Sequence, residues 1–109
     1  MDDYVPSDGD IIWLNFTPQS GHEQAGHRPA VVLSPASYNR IGLLLCCPTT
    51  TKVKGYPFEV VISGKRPSVA LADQIKSIDW KSRGAKRKGR VTNDELFEIR
   101  AKARALIGT

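Results

Sequence analysis

Between residues 10 and 16 the chain reads DIIWLNF, and apolar side chains fall on alternate positions. Ile12, Leu14 and Phe16 lie on one face of this run, and Ile11, Trp13 and Asn15 on the other. A period of two predicts a β-strand rather than a helix. Four more strand-sized runs follow: PAVVLS (29–34), GLLLCCP (42–48), FEVVIS (58–63) and VALADQIKSI (69–78). Each is bounded by Pro, Gly, Ser or Asn, the residues that end strands and make turns. Short strands in succession, with no helix between most of them, predict a small antiparallel barrel or a strongly curved sheet. The segment SPASYN (34–39) predicts one helical turn.

The period changes near the C-terminus. Thr92 and Glu95 stand three apart, the spacing at which each side chain satisfies a free backbone N–H of a first helical turn. Leu96, Ile99, Ala103 and Leu106 then recur at helical spacing, and Gly108 follows as a stop. Acidic residues lie early and basic residues late, as the helix dipole favours. The prediction is mainly β, with one amphipathic C-terminal helix of about four turns covering an open end of the barrel.

Length and composition narrow the class. The chain has 109 residues and is 40% hydrophobic, enough for one self-standing core, so residues 1–109 are expected to form a single domain. No run approaches the ~20 apolar residues needed to cross a bilayer. The acidic start MDDYVPSDGD is the reverse of a secretory signal, which makes the cytoplasm the expected location. The two cysteines, Cys46 and Cys47, are adjacent in a strand-like run, so they point to opposite faces and are expected to be buried and unbridged.

Charge is uneven. Residues 1–50 hold two basic against five acidic side chains, and residues 51–109 hold fourteen against six. The densest stretch, KSIDWKSRGAKRKGR (76–90), has seven bases and one acid, which favours a polyanion or an acidic peptide as partner.

Candidate chemistry gathers at strand ends. The loop 17–27 is polar, contains two glycines, and returns to the core at Arg28. Pro29 follows, leaving a guanidinium suited to forking two hydrogen bonds onto a phosphate. Pairing with Glu23 is the plainer role for such an arginine. At the end of the third apolar run, PTTTK (48–52) offers three hydroxyls and a lysine, with Lys54 close behind. Together these form a set suited to a phosphodiester. No Gly-x-x-x-x-Gly-Lys phosphate loop is present. Asp10, Glu59, Asp73 and Asp79 are scattered singly, so no metal cluster is expected.

The stretches GDIIWLNFTPQSGHEQAGHRPAVVLSP, CPTTTKVKGYPFEV and VALADQIKSIDW resemble the MazF/PemK toxins of bacterial type II toxin–antitoxin systems. The similarity runs over about residues 5–107, in the same order and with similar gaps, and is nearest to the MazF branch. It implies a small SH3-like antiparallel barrel with a C-terminal helix, working as a homodimer without metal or cofactor. The implied activity is sequence-specific endoribonuclease cleavage of single-stranded RNA, chiefly mRNA, which halts translation. Arg28 matches the catalytic arginine and Thr50 the catalytic threonine, with Thr49 beside it leaving the choice of hydroxyl open. Glu23 and Gln24 fall in the loop that shapes the RNA groove, Lys54 matches a basic groove residue, and Phe16 and Gln74 are candidate base contacts.

The implied reaction is attack of the ribose 2′-hydroxyl on phosphorus, giving a 2′,3′-cyclic phosphate and a 5′-hydroxyl. Arginine is a poor base, so Glu23, His27 or in-line geometry with charge stabilisation remain as ways to activate the nucleophile, the last preferred. The implied protein partner is an antitoxin whose acidic tail blocks the groove. The alternative is a non-catalytic toxin of the same fold that poisons DNA gyrase by contact.

Overall fold

The computed structural model describes residues 4–16, 26–64 and 66–108. In chain order these form β1 (Asp10–Asn15), β2 (His27–Val32), α1 (Ala36–Asn39), β3 (Leu43–Thr50), β4 (Glu59–Ile62), β5 (Ser68–Leu71), β6 (Lys76–Asp79), β7 (Lys86–Arg90) and α2 (Asn93–Ile107). Every pairing is antiparallel.

β3 is the hub. One edge pairs with β2, while the other pairs with β6 along residues 43–46 and with β5 at Thr49 and Thr50. The path β6–β3–β2–β1–β7 therefore ends in two strands that follow each other in sequence, and the short turn 80–85 that joins them draws the sheet into a curl. β4 continues outward from β5. The result is a mainly β, half-barrel sheet with a C-terminal helix.

Alternation places a separate apolar cluster on each face of β2 and β3. Ile12, Leu14, Phe16, Ala30, Val32, Leu44 and Cys46 pack with Ile78 and Trp80. Val31, Leu33 and Cys47 pack with strands β4 and β5 and with Leu96 and Ile99 of α2. Burying each large apolar side chain contributes roughly 1.5–3 kcal/mol. Cys46 and Cys47 thus belong to different clusters, both buried and both free.

Polar groups buried between these layers are paired. Asn39 is fully buried, donates to the carbonyls of Pro6 (2.8 Å) and Ser34 (2.9 Å), and accepts from the Ser34 hydroxyl at 2.6 Å. Trp80 Nε1 donates to the Asn39 carbonyl at 2.7 Å. The one-turn helix α1 thereby ties the N-terminal segment to the end of β6. The capping box of α2 forms as its spacing predicts, with Glu95 N donating to Thr92 Oγ1 (3.1 Å) and Thr92 N to Glu95 Oε1 (2.9 Å).

Three expectations change, and one strand is added. The run 69–78 is two strands, because the chain turns at 72–75, with Gln74 N donating to the Leu71 carbonyl. The basic stretch 86–90 is a strand without apolar alternation, held to β1 by backbone pairing and by Arg90 and Arg87 on the buried Asp10 carboxylate at 3.2 and 3.6 Å. Helix α2 closes the second apolar cluster against β4 rather than capping a barrel end, and Leu106 stands away from it, 58% exposed. Phe16, a candidate base contact, is 2% exposed and packed with Ile12 and Leu14, so it presents no face to a nucleobase.

Among the described residues, no helix is long and apolar enough to cross a membrane.

Candidate active site

Arg28 enters the site from the start of β2. Gly26, at φ +79°, supplies the left-handed backbone needed just before that strand, and its carbonyl accepts from Phe16 N at 2.9 Å. Arg28 then pairs with Leu14 of β1. On the other side of β2 the register runs Val32↔Cys46, Val31↔Cys47 and Ala30↔Pro48. Continued by two residues, it sets Pro29 opposite Thr49 and Arg28 opposite Thr50. The hydrogen bond from Thr49 Oγ1 to the Pro29 carbonyl, 3.2 Å, carries that continuation one step. Directly opposed residues share a face, so this register brings Arg28 and Thr50 to one side of the sheet.

They emerge at a cavity of about 450 Å³, also lined by Lys54, Glu59, Asp73 and Gln74, with Tyr56 and Phe58 stacked at its edge, their ring centroids 5.3 Å apart. The cavity exists because β5 leaves β3 at the 72–75 turn, which carries Asp73 and Gln74 around the strand end. Thr50 Oγ1 accepts from Lys52 N at 3.1 Å, an arrangement that leaves its own proton for a ligand. Glu59, buried, accepts from the backbone N–H groups of Gly55 (2.9 Å) and Lys54 (3.3 Å), which fixes the loop bearing Lys54. Asp73 differs: desolvation at the cavity, reinforced by the nearby Glu59 charge, raises its pKa above the ordinary 3.8. Lys54 Nζ lies 6.0 Å from the Tyr56 ring centroid.

A second cavity, about 730 Å³, also has Arg28 and Thr50 in its wall, together with Trp13, His27, Arg66 and Lys88. The two cavities meet at the Arg28–Thr50 pair, forming a trough that crosses the strand ends.

The structure brings Arg28, Thr50, Lys54 and Gln74 to the first cavity and His27 to the second. Glu23 and Gln24 lie outside the described residues. Sequence reading passed over Glu59 and Asp73 as isolated carboxylates. The β4–β5 pairing of Glu59 with Leu71 brings Asp73, two residues farther on, to the same cavity, a signal that only topology carries. Among the described residues, no three His, Cys, Asp or Glu side chains gather as a metal site would require.

Comparison with known proteins covers nearly the whole chain. Residues 7–107 match the family model described as PemK-like, MazF-like toxin of type II toxin–antitoxin system. The chain is 62% identical over 107 residues to the Escherichia coli (strain K12) endoribonuclease toxin MazF, covering 96% of each. Its structure superposes on crystalline MazF from Deinococcus radiodurans with a TM-score of 0.93 at 51% identity, covering 98% of this chain and 100% of that one. The MazE–MazF structure from the same organism gives 0.85 at 45% identity, covering 98% and 99%. With its trough built on β2 and β3 and its sequence matched from one end of the sheet to the helix, the chain belongs to the PemK-like, MazF-like toxins of type II toxin–antitoxin systems.

Proposed function

We propose that this chain is an endoribonuclease toxin that cuts single-stranded RNA at a defined sequence, without metal or cofactor, and so stops translation. The observation that carries the reading is that Arg28 and Thr50 line both cavities. The ribose 2′-oxygen attacks the adjacent phosphorus, the bond from phosphorus to the 5′-oxygen breaks, and that oxygen takes up a proton. The products are a 2′,3′-cyclic phosphate and a 5′-hydroxyl. Arg28 forks onto the non-bridging oxygens as charge accumulates on them, and Thr50 donates to one of them. Removing a preorganised donor of this kind typically costs about 10²–10³ in rate.

The nucleophile's proton needs an acceptor. Glu59 holds two backbone donors and is already engaged. Asp73 lines the same cavity, where desolvation and the neighbouring Glu59 charge raise its pKa from the ordinary 3.8. We assign it the acceptor role; His27, on the second cavity, takes none in the proton transfer. Lys54 and Gln74 contact the RNA strand, and the family resemblance adds Glu23 and Gln24 as RNA-binding residues.

The cell-side reading follows from the family. The toxin acts in the cytoplasm as a homodimer, and an antitoxin with an acidic tail covers the basic trough. The MazE–MazF structures from Deinococcus radiodurans give this reading its template.

The test is purified protein mixed with a long RNA in EDTA, with the new 5′ ends mapped. Recurring cuts at one sequence, lost in Arg28→Ala, support the enzyme. Intact RNA together with stalled DNA gyrase would support the gyrase-poison alternative. A 2′-deoxy substitution at the scissile nucleotide should abolish the product.

A further inference from the structure

The second cavity holds an arrangement that the cleavage chemistry leaves unused. Trp13 sits on the outer face of β1 with 38% of its surface exposed, while Ile12 and Leu14 fill the buried face. It is held in place all the same. The His27 ring stacks on it with centroids 6.0 Å apart and planes inclined by only 21°. Lys88 of β7 brings its Nζ to 4.9 Å from the indole centroid, inside the range of a cation–π contact. The register explains the meeting: Trp13 pairs with Pro29 on β2 and with Lys86 on β7, so His27 and Lys88 are its diagonal neighbours on either side.

The walls around this indole have one sign of charge. Arg28, Arg66 and Lys88 line the cavity with hydroxyls from Thr51, Ser63 and Ser68, and among the described residues no carboxylate does. The first cavity, by contrast, carries Glu59 and Asp73. A rigid aromatic surface in a cationic, hydroxyl-rich trough is how proteins hold a single-stranded nucleic acid: cations follow the phosphates and the ring takes a base. The volume of about 730 Å³ lies within the usual range for a small-ligand site.

We infer that the second cavity seats a nucleobase next to the cut, stacked on a Trp13 platform that His27 and Lys88 hold in place. This rests on the ribonuclease reading above and adds to it a base-binding subsite, with Trp13 as a residue that helps set which nucleotide is accepted there. His27 then acts through ring contact rather than proton transfer.

The experiment uses the full chain. Once the cut sequence is mapped, the matching RNA oligonucleotide is made together with a set in which each flanking nucleotide in turn is abasic. Trp13→Ala should raise KM about tenfold with little change in kcat, and Trp13→Phe should recover most of the loss, because stacking is the interaction removed. One abasic position should cost the native protein about tenfold and cost Trp13→Ala nothing more. A reading independent of any variant uses the 2′-deoxy oligonucleotide, which binds uncut. Trp80 is buried, so iodide quenching reports Trp13, and bound oligonucleotide should protect it.

If the native protein cuts no RNA, the ribonuclease reading fails and takes this inference with it. If it cuts at defined sites but no abasic position is silenced by Trp13→Ala, or iodide reaches the indole equally in the complex, the platform alone is wrong. A Trp13→Ala protein that changes its oligomeric state while keeping its base dependence would also overturn the platform, since a second copy of the chain would then be the indole's partner.

Discussion

Thr49 and Thr50 are neighbours at the end of β3 whose hydroxyls have different fates. Thr49 spends its proton on the Pro29 carbonyl at 3.2 Å, pinning β2 to β3. Thr50 accepts from Lys52 N at 3.1 Å and faces the first cavity, which Thr49 does not line. Alternation along the strand is the cause. Of the two, Thr50 alone lines the first cavity, and both line the second.

Thr50→Val should therefore lower kcat by about 10²-fold or more while leaving thermal stability nearly unchanged. Thr49→Val should do the opposite, lowering stability by about 1 kcal/mol with cleavage kept. Initial rates on the mapped oligonucleotide, set beside melting curves followed by circular dichroism, separate the two. Equal kinetic losses in both variants would remove Thr50 from the reaction.

Asp73 yields a pH prediction. A base works only when deprotonated, so the rate should fall as pH drops through the raised pKa of Asp73. In Asp73→Asn that acidic limb should vanish and the plateau should fall by about 10²-fold. The same shift bears on stability. A carboxyl whose pKa is raised by folding favours the native state below its unfolded pKa, and that contribution is lost as pH rises through the folded value. Neutral Asn should thus melt higher than Asp at pH 7, which distinguishes lost chemistry from lost structure.

Legibility varied with how local the cause was. The capping box at Thr92 and Glu95 was readable because both partners lie within one turn. The alternation of Ile12, Leu14 and Phe16 was readable because one strand face is buried. That face also decides between the two roles open to Phe16, base contact or core: an aromatic before a polar loop looks accessible until the cluster with Ile12, Leu14 and Trp80 closes over it. Arg28 and Thr50 were identified singly, but their opposition depends on the β2–β3 register, which no local pattern states. β7 was missed for a different reason. Its partner is β1, about 75 residues earlier, and its basic side chains answer to Asp10 and to solvent rather than to a core.

The cysteines make a chemical prediction. Burial, with a smaller contribution from Asp73, pushes Cys47 up to about 12, and burial beside Cys47 pushes Cys46 higher still. At pH 8 only about one Cys47 in ten thousand would be thiolate, the reactive form. Ellman's reagent should find essentially no thiol in the native protein and two after guanidinium unfolding. Rapid native labelling would mean that β3 opens readily, against its central place in the sheet.

Buried Asn39 joins α1 to the N-terminal segment. Its amide carries the contacts to Pro6 and Ser34. Replacing it with Ala leaves those carbonyls without the amide donor and the Ser34 hydroxyl, which still accepts from Leu45 N, without its acceptor, and each such buried loss costs about 1–3 kcal/mol. Asn39→Ala should lower the urea midpoint without changing the m-value, because the surface exposed on unfolding is unchanged. A drop in m would instead indicate that α1 and the N-terminal segment separate before the sheet.

Glu95 and Asp8 set the response to acid. Burial pushes both carboxyls up, but backbone N–H donors from Thr92 and Ser63 outweigh it at Glu95, and the Arg100 guanidinium at 2.9 Å outweighs it at Asp8. Both therefore end below their ordinary values of 4.5 and 3.8. A depressed pKa means stability that is fully present above the unfolded value and is lost as pH falls through the folded one. Urea midpoints should hold steady from pH 7 to about 5 and then decline toward pH 3. Glu95→Gln keeps one acceptor oxygen but cannot titrate, so it should begin lower at pH 7, decline less, and approach the native curve near pH 3. Parallel curves across that range would place the acid sensitivity elsewhere and leave the α2 cap without a measurable share of it.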